Sequence, residues 1–177
     1  MIPDLVALGK GMGGGFPIGA VAGPAEYMQK IAPVGNTFLG SDEVVYHSGT
    51  FNANPMAMTA VIVSLNKLVT SDCLQRMQAN GDQIRQALGA LMQQYGVAGT
   101  TTGMGPFLQW YFGVEGDIKR PEQLIAADQE LGRKFHRLLL DRGIFFMPGL
   151  RGYVSAAHQQ DDIDRTIAAM EAAFQEL

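Results

Sequence analysis

Seven glycines fall within the fifteen residues from Gly9 to Gly23, and Lys10 is the sole charged side chain among those fifteen. The run just before them, Leu5-Val6-Ala7-Leu8, is short, continuous and apolar, which predicts a buried strand. A strand that opens into a glycine-rich loop lets backbone approach a bound ligand closely. A lysine at that point has two readings. Held in a low-dielectric pocket, its ammonium is destabilised, and the free amine can attack a carbonyl to form a Schiff base. Standing in a turn, it is an ordinary solvated side chain. On these residues alone both readings stay open.

A dinucleotide loop competes for the same segment. Gly9-Lys10-Gly11-Met12-Gly13-Gly14 satisfies G-x-G-x-x-G after a strand. The pattern fails on context, because a helix must follow and present its N-terminus to the pyrophosphate. Here Gly15-Phe16-Pro17 intervenes, and Ile18 to Ala22 reads as a second strand. No Gly-Lys pair is followed by Ser or Thr, so a P-loop is excluded.

Charge divides the chain in two. Residues 1–70 carry seven of the 13 basic and 17 acidic side chains, and residues 71–177 carry the rest. A charge-poor segment is buried on several sides or lines a site or an interface. A boundary is expected near Thr70. The net charge of −4 offers no footprint for nucleic acid or an anionic membrane. A single cysteine, Cys73, excludes an internal disulfide and any multi-cysteine metal site. With no signal peptide and no apolar run of membrane-spanning length, the expectation is a soluble, cytoplasmic protein.

Helices follow from caps and periodicity. Pro24 suits the first turn of a short helix. Asn54-Pro55 is a strong start, with Met58, Ile62, Leu65 and Val69 on one predicted face. Ser71 is the expected cap of a second helix whose face is Leu74, Met77, Ile84, Leu88, Leu91 and Tyr95, with Gly81 marking a close contact. A third runs from Leu124 to Leu138 and stops at Gly143. Asp161 is expected to cap a last helix with Ile163, Ile167, Met170 and Phe174 inside. Strands are predicted at Pro106–Phe112, Ile144–Phe146 and Tyr153–Ala156. This alternation argues α/β in the first part and α+β in the second.

A second polar cluster, Tyr46-His47-Ser48-Gly49-Thr50-Phe51-Asn52-Ala53-Asn54-Pro55, sets hydroxyls around a glycine before a helix. That arrangement suits a phosphate, although ordinary capping explains the same residues. His47, His136 and His158 lack metal-ligand spacing with each other or with Cys73. His136 is expected to be solvated and His158 to support a turn. Asp161, Asp162 and Asp164 read as acidic residues at a helix start. Trp110 and Tyr111 read as sheet packing.

Together, Asp4 through Gly19, Ser48-Gly49-Thr50 and Asn54-Pro55 resemble the class III aminotransferases, near glutamate-1-semialdehyde 2,1-aminomutase and its relatives. Leu140-Asp141-Arg142-Gly143-Ile144, Tyr153 to His158 and Asp161 to Ile167 extend the resemblance over nearly the whole chain. It implies an aspartate-aminotransferase-like α/β fold (fold type I), with residues 1–70 as the C-terminal part of the cofactor-binding large domain. Residues 71–177 would form the small α+β domain and its linking helix. It further implies pyridoxal 5'-phosphate as cofactor and amino-group transfer on an amino acid or amine. Lys10 would be the Schiff-base lysine and general acid/base, and Gly49 and Thr50 would hold the phosphate of the partner subunit's cofactor in a homodimer. Arg151 is a candidate for a substrate carboxylate, or a surface arginine at a strand start. In the family the pyridine-nitrogen aspartate, the stacking aromatic and the main phosphate loop lie upstream of the lysine, and nine residues precede Lys10 here. The expectation is the back portion of a longer enzyme. Its alternative is an incomplete fragment or pseudo-enzyme subunit that acts only with another chain. Either would leave an apolar face on residues 1–70.

Overall fold

The computed structural model describes residues 2–31, 45, 47, 49–147 and 151–177. Tyr46 and Ser48 of the second cluster, and 148–150, lie outside the described residues. The chain divides into two compact units, Met1–Ser71 and Asp72–Leu177.

In the first unit, β1 (Val6–Gly9) pairs antiparallel with β2 (Gly19–Ala22), Val6 opposite Ala22 and Gly9 opposite Gly19. A 3-10 turn, Lys10–Gly13, leads away from β1, and a short helix α1 (Ala25–Met28) follows Pro24. Helix α2 (Pro55–Thr70) begins as expected: the Asn54 side chain accepts from the N–H groups of Met56 and Ala57 at 3.0 and 3.2 Å. The expected burial of β1 does not hold, because all four of its residues are exposed. A two-stranded ribbon satisfies one backbone edge per strand, and no described residue of the unit shields its faces. The predicted inner face of α2 is also displaced by one residue. Ala57 is buried and Val61, Ser64 and Leu68 are partly so, whereas Ile62 and Val69 are 61% and 77% exposed. Helix α2 packs on the glycine turn, where only small side chains permit the approach. A Cβ on Gly14 would lie 2.8 Å from Ser64 Oγ. Both sides of α2 are apolar, so periodicity could not choose between them.

The second unit is a layer of helices on one face of a sheet. Strands β3 (Gly99–Thr102), β4 (Phe107–Phe112) and β5 (Arg151–Tyr153) form an antiparallel sheet in that order. Helices α3 (Cys73–Gln94), α4 (Gln129–Asp141) and α5 (Gln160–Phe174) supply the rest of the core. Along β4 the alternation is strict: Leu108, Trp110 and Phe112 are buried, while Phe107, Gln109 and Tyr111 are half-buried. Phe135 stands edge-on to Trp110, Phe112 and Phe174, with ring centroids 6.0, 5.3 and 5.2 Å apart. Each large side chain buried this fully contributes about 1.5–3 kcal/mol. Gly81 makes the expected close contact, since a Cβ there would lie 2.2 Å from the Gly105 carbonyl oxygen. Beside it Arg85 donates to that same oxygen at 2.9 Å and to the Phe107 carbonyl, and pairs with Asp82. This guanidinium clamp on the β3–β4 turn was not foreseen.

Other departures have local causes. Strand β3 was not anticipated; its Thr100-Thr101-Thr102 run was the available signal. Ser71 closes α2, its hydroxyl donating to the Lys67 carbonyl at 2.5 Å, and Asp72 takes the N-cap position of α3. Cys73 is buried where Leu74, 49% exposed, was expected. The third helix starts at Gln129, because Asp128 caps it through Leu131 N–H at 2.9 Å; Leu124 lies in a separate 3-10 segment. Its end agrees with expectation: Gly143 has φ +78° and Ile144 N–H reaches back to Leu139. Ile144–Phe146 forms no strand, and among the described residues Met147 makes an isolated bridge to Arg151. The carboxylate capping α5 is Asp162, which accepts from Gln159 N–H at 2.9 Å, and not Asp161. His158 supports a turn as expected, its Nδ1 accepting from Ser155 N–H at 2.9 Å. His136 is half-buried rather than solvated. It packs 5.7 Å from the Trp110 ring, and burial lowers its pKa below the usual imidazole value. Trp110 Nε1 and His136 Nε2 are both buried with no hydrogen-bond partner among the described residues. No single helix among the described residues is long and apolar enough to cross a membrane.

Candidate active site

Strand β1 delivers Lys10 to the mouth of the glycine turn. Gly9 is fully extended (φ −179°), and Lys10 then turns into the left-handed region with φ +53°. The turn closes through Gly14 N–H to the Gly11 carbonyl at 3.2 Å and Phe16 N–H to the Gly13 carbonyl at 3.0 Å. Gly13 is buried, and a Cβ there would lie 2.5 Å from Ile18 Cγ2. Gly13 and Gly14 are therefore needed for packing, while Lys10 itself is exposed, not enclosed as the pocket reading required. The cause is the open ribbon that carries it.

The second cluster forms a turn directly before α2. Asn52 N–H donates to the Gly49 carbonyl at 2.9 Å, and Asn54 N–H to the Phe51 carbonyl at 3.2 Å. Because Asn54 already serves the first N–H groups of α2, an anion at this turn would be met by Gly49 N–H and Thr50. Both residues are exposed, and among the described residues no hydrogen bond engages either donor. A cleft of about 410 Å³ joins the two motifs, lined by Pro17, Ile18 and Gly19 on one side and His47, Phe51 and Asn52 on the other. Lys10, Gly49 and Thr50 do not line it. Among the described residues, this cleft therefore does not bring the lysine and the phosphate-type turn together.

Backbone strain marks both motifs. Among the described residues, the two non-glycine residues with positive φ are Lys10 (+53°) and Ala53 (+52°), one in each cluster. That conformation costs an L-residue about 1–2 kcal/mol, and such outliers gather at functional sites. Sequence reasoning singled out Lys10 by its neighbours; Ala53 carried no signal, since nothing in an alanine announces a left-handed backbone.

Arg151 sits in the second unit, at the start of β5, exposed and paired with Gln109 of β4. It belongs to no ion pair among the described residues. Burial raises the Tyr111 pKa above its ordinary value, and the Arg151 charge pulls it partly back. Among the described residues no group of three His, Cys, Asp or Glu side chains could hold a metal ion.

Residues 1–173 match the family described as Aminotransferase class-III. A glutamate-1-semialdehyde 2,1-aminomutase of Methanopyrus kandleri is 35% identical over 176 residues, 98% of this chain and 39% of that protein. An omega-transaminase from Sphaerobacter thermophilus superposes with a TM-score of 0.80 at 34% identity, over 98% of this chain and 38% of the other. A beta-phenylalanine aminotransferase from Variovorax paradoxus gives 0.80 at 35% identity, over 96% and 37%. The α/β, aminotransferase-type fold expected from the sequence stands with these neighbours. The chain spans about two fifths of their length.

Proposed function

Because this chain belongs to the class III aminotransferases, a family that works with pyridoxal phosphate, we propose that it serves amino-group transfer on an amino acid or amine, as an aminotransferase or a glutamate-1-semialdehyde-type aminomutase. In this reading residues 1–70 are the C-terminal part of a cofactor-binding domain and residues 71–177 the small domain. The observation that carries it is the pair of strained backbones, one at Lys10 and one in the turn of Gly49 and Thr50.

The residues present fit the cofactor by donor type. Lys10 offers an exposed primary amine at the end of a strand, suited to an aldehyde. Gly49 N–H and the Thr50 hydroxyl offer neutral donors to a phosphate. When bound, pyridoxal phosphate supplies an electron sink for the carbanion left by proton loss. Lys10 Nζ would hold the cofactor through its aldehyde, with loss of water, and when free of it would move the substrate proton as general acid and base. The left-handed φ at Lys10 ends the line of β1 at this residue, and the glycine turn follows directly. Gly49 and Thr50 would hold the phosphate of the partner subunit's cofactor. Arg151 meets a substrate carboxylate through its planar fork.

A second reading, in which this chain acts only with another chain that completes the site, draws support from the exposure of β1 and of the Ile62 side of α2. Both readings imply association, with a second copy in the first and with a different chain in the second.

The test is direct. Purified protein is incubated with pyridoxal phosphate, reduced with borohydride and digested. The expected result is a cofactor-sized mass increment on the Lys10 peptide, absent in Lys10→Ala. Labelling that ignores Lys10 overturns the assignment. Thr50→Val should weaken cofactor binding by about tenfold through loss of one hydrogen bond to a charged group.

A further inference from the structure

We infer that Tyr111 is a positioning residue for Arg151, steadying its guanidinium on the open face of the second unit's sheet so that it can take a substrate carboxylate. The inference rests on the proposed amino-group transfer and adds to it a residue that no motif pointed to.

The sheet register carries the argument. Gln109 lies directly opposite Arg151, and Phe107 opposite Tyr153. Tyr111 follows Gln109 by two residues, so it shares the face of Arg151. On the other flank Thr100 pairs with Tyr111 and Thr102 with Gln109. The strand positions on this face are therefore Thr100, Thr102, Phe107, Gln109, Tyr111, Arg151 and Tyr153. Arg151 is the one charged group of that set, and none of the others is a carboxylate that could neutralise it. The opposite face is closed by the core of Leu108, Trp110 and Phe112.

Arg151 itself is poorly held. It begins an edge strand of three residues, is exposed, and has no ion pair among the described residues. A long guanidinium side chain needs a fixed orientation before its fork can meet a carboxylate. Tyr111 is placed to supply it. It stands in the central strand, half-buried, with two side-chain torsions and a hydroxyl that can accept from a guanidinium N–H. Cross-strand diagonal neighbours lie about 7–8 Å apart, within reach of long side chains. Burial raises the Tyr111 pKa and the Arg151 charge pulls it partly back, in keeping with two groups on one sheet face.

The experiment separates this inference from the reaction it serves. Tyrosine labelled at the ring carbon bearing the hydroxyl is titrated by NMR, the Tyr111 signal being assigned with Tyr111→Phe. Arg151→Gln should move the Tyr111 midpoint to higher pH, and saturating benzoate should do the same in the unsubstituted protein while benzylamine does not. In the cofactor-loaded protein, Tyr111→Phe should raise KM for alanine about tenfold. Its kcat should stay within about twofold, and KM for 1-phenylethylamine, which has no carboxylate, should not change. An unmoved Tyr111 titration in Arg151→Gln overturns the inference, as does an equal rise of KM for both substrates. Should neither substrate turn over, the amino-transfer reading falls, and the titration alone upholds or overturns the Tyr111–Arg151 coupling.

Discussion

The two units spend similar apolar material in opposite ways. In Asp72–Leu177, three helices close over one side of a sheet, and Trp110, Phe112, Phe135 and Leu139 are completely buried. In Met1–Ser71, Ala57 is the one hydrophobic residue buried among those described, while Leu5, Leu8, Val21, Ile62 and Val69 are all exposed. Hydrophobic content alone does not make a core. A core needs a layered arrangement in which each apolar face meets another. The second unit has that arrangement within itself. The first unit, poor in charge yet open, has surface of the kind that subunit interfaces use.

That contrast can be broken most sharply in the core. Phe135→Ala removes a ring that touches three others and should cost about 3–5 kcal/mol. Trp110 is the only tryptophan, so its fluorescence reports urea unfolding of the second unit directly. Ile62→Ala, on the exposed side of α2, should leave that transition in place. If the first unit's open face is an interface, it should instead lower the dimer fraction in sedimentation. An Ile62→Ala protein with unaltered association would remove Ile62 from the interface. A smaller effect is expected at Asn54→Ala, which strips two hydrogen bonds from the start of α2 and should cost about 1 kcal/mol. Far-UV circular dichroism of thermal melting would register it, with the Trp110 signal unchanged.

The smallest effect is pH dependence. Burial lowers the folded-state pKa of His136 below 6.5, so the folded protein binds fewer protons there than the unfolded chain. Its contribution to stability is therefore complete above pH 6.5, declines as pH falls through that value, and levels off below the folded-state pKa. Urea midpoints followed by Trp110 fluorescence at pH 8, 6.5 and 5 should show this decline. The decline should flatten in His136→Leu. An identical slope in the two proteins would assign it to other groups.

Much of this was legible in the linear chain. Asn54-Pro55 announced its helix because the cap chemistry is local: one side chain and two amides within three residues. The face of α5 was legible because Ile163, Met170 and Phe174 are apolar against a polar background. Helix α2 was not legible in the same way, since its apolar residues surround it and the glycine turn selected the small side. His136 was misjudged because its neighbour is Trp110, twenty-six positions away in sequence, and no local pattern carries that contact. For the site, motif and resemblance single out Lys10, Gly49 and Thr50 as candidates. The strain at Ala53 carried no sequence signal, because a left-handed φ is a backbone property, and the proposed role of Tyr111 depends on strand register.

The sequence by itself determined most of the helices, the strands β1, β2 and β4, the glycine turn that carries Lys10, and the family. These rest on side-chain periodicity, capping and residue spacing, which act over a few residues. Only the tertiary structure decided which side of α2 packs, that Lys10 and Ala53 hold left-handed backbones, and that Tyr111 and Arg151 share one face. Those outcomes depend on which surfaces meet, and contact between distant segments is set by packing geometry that no short stretch of chain contains.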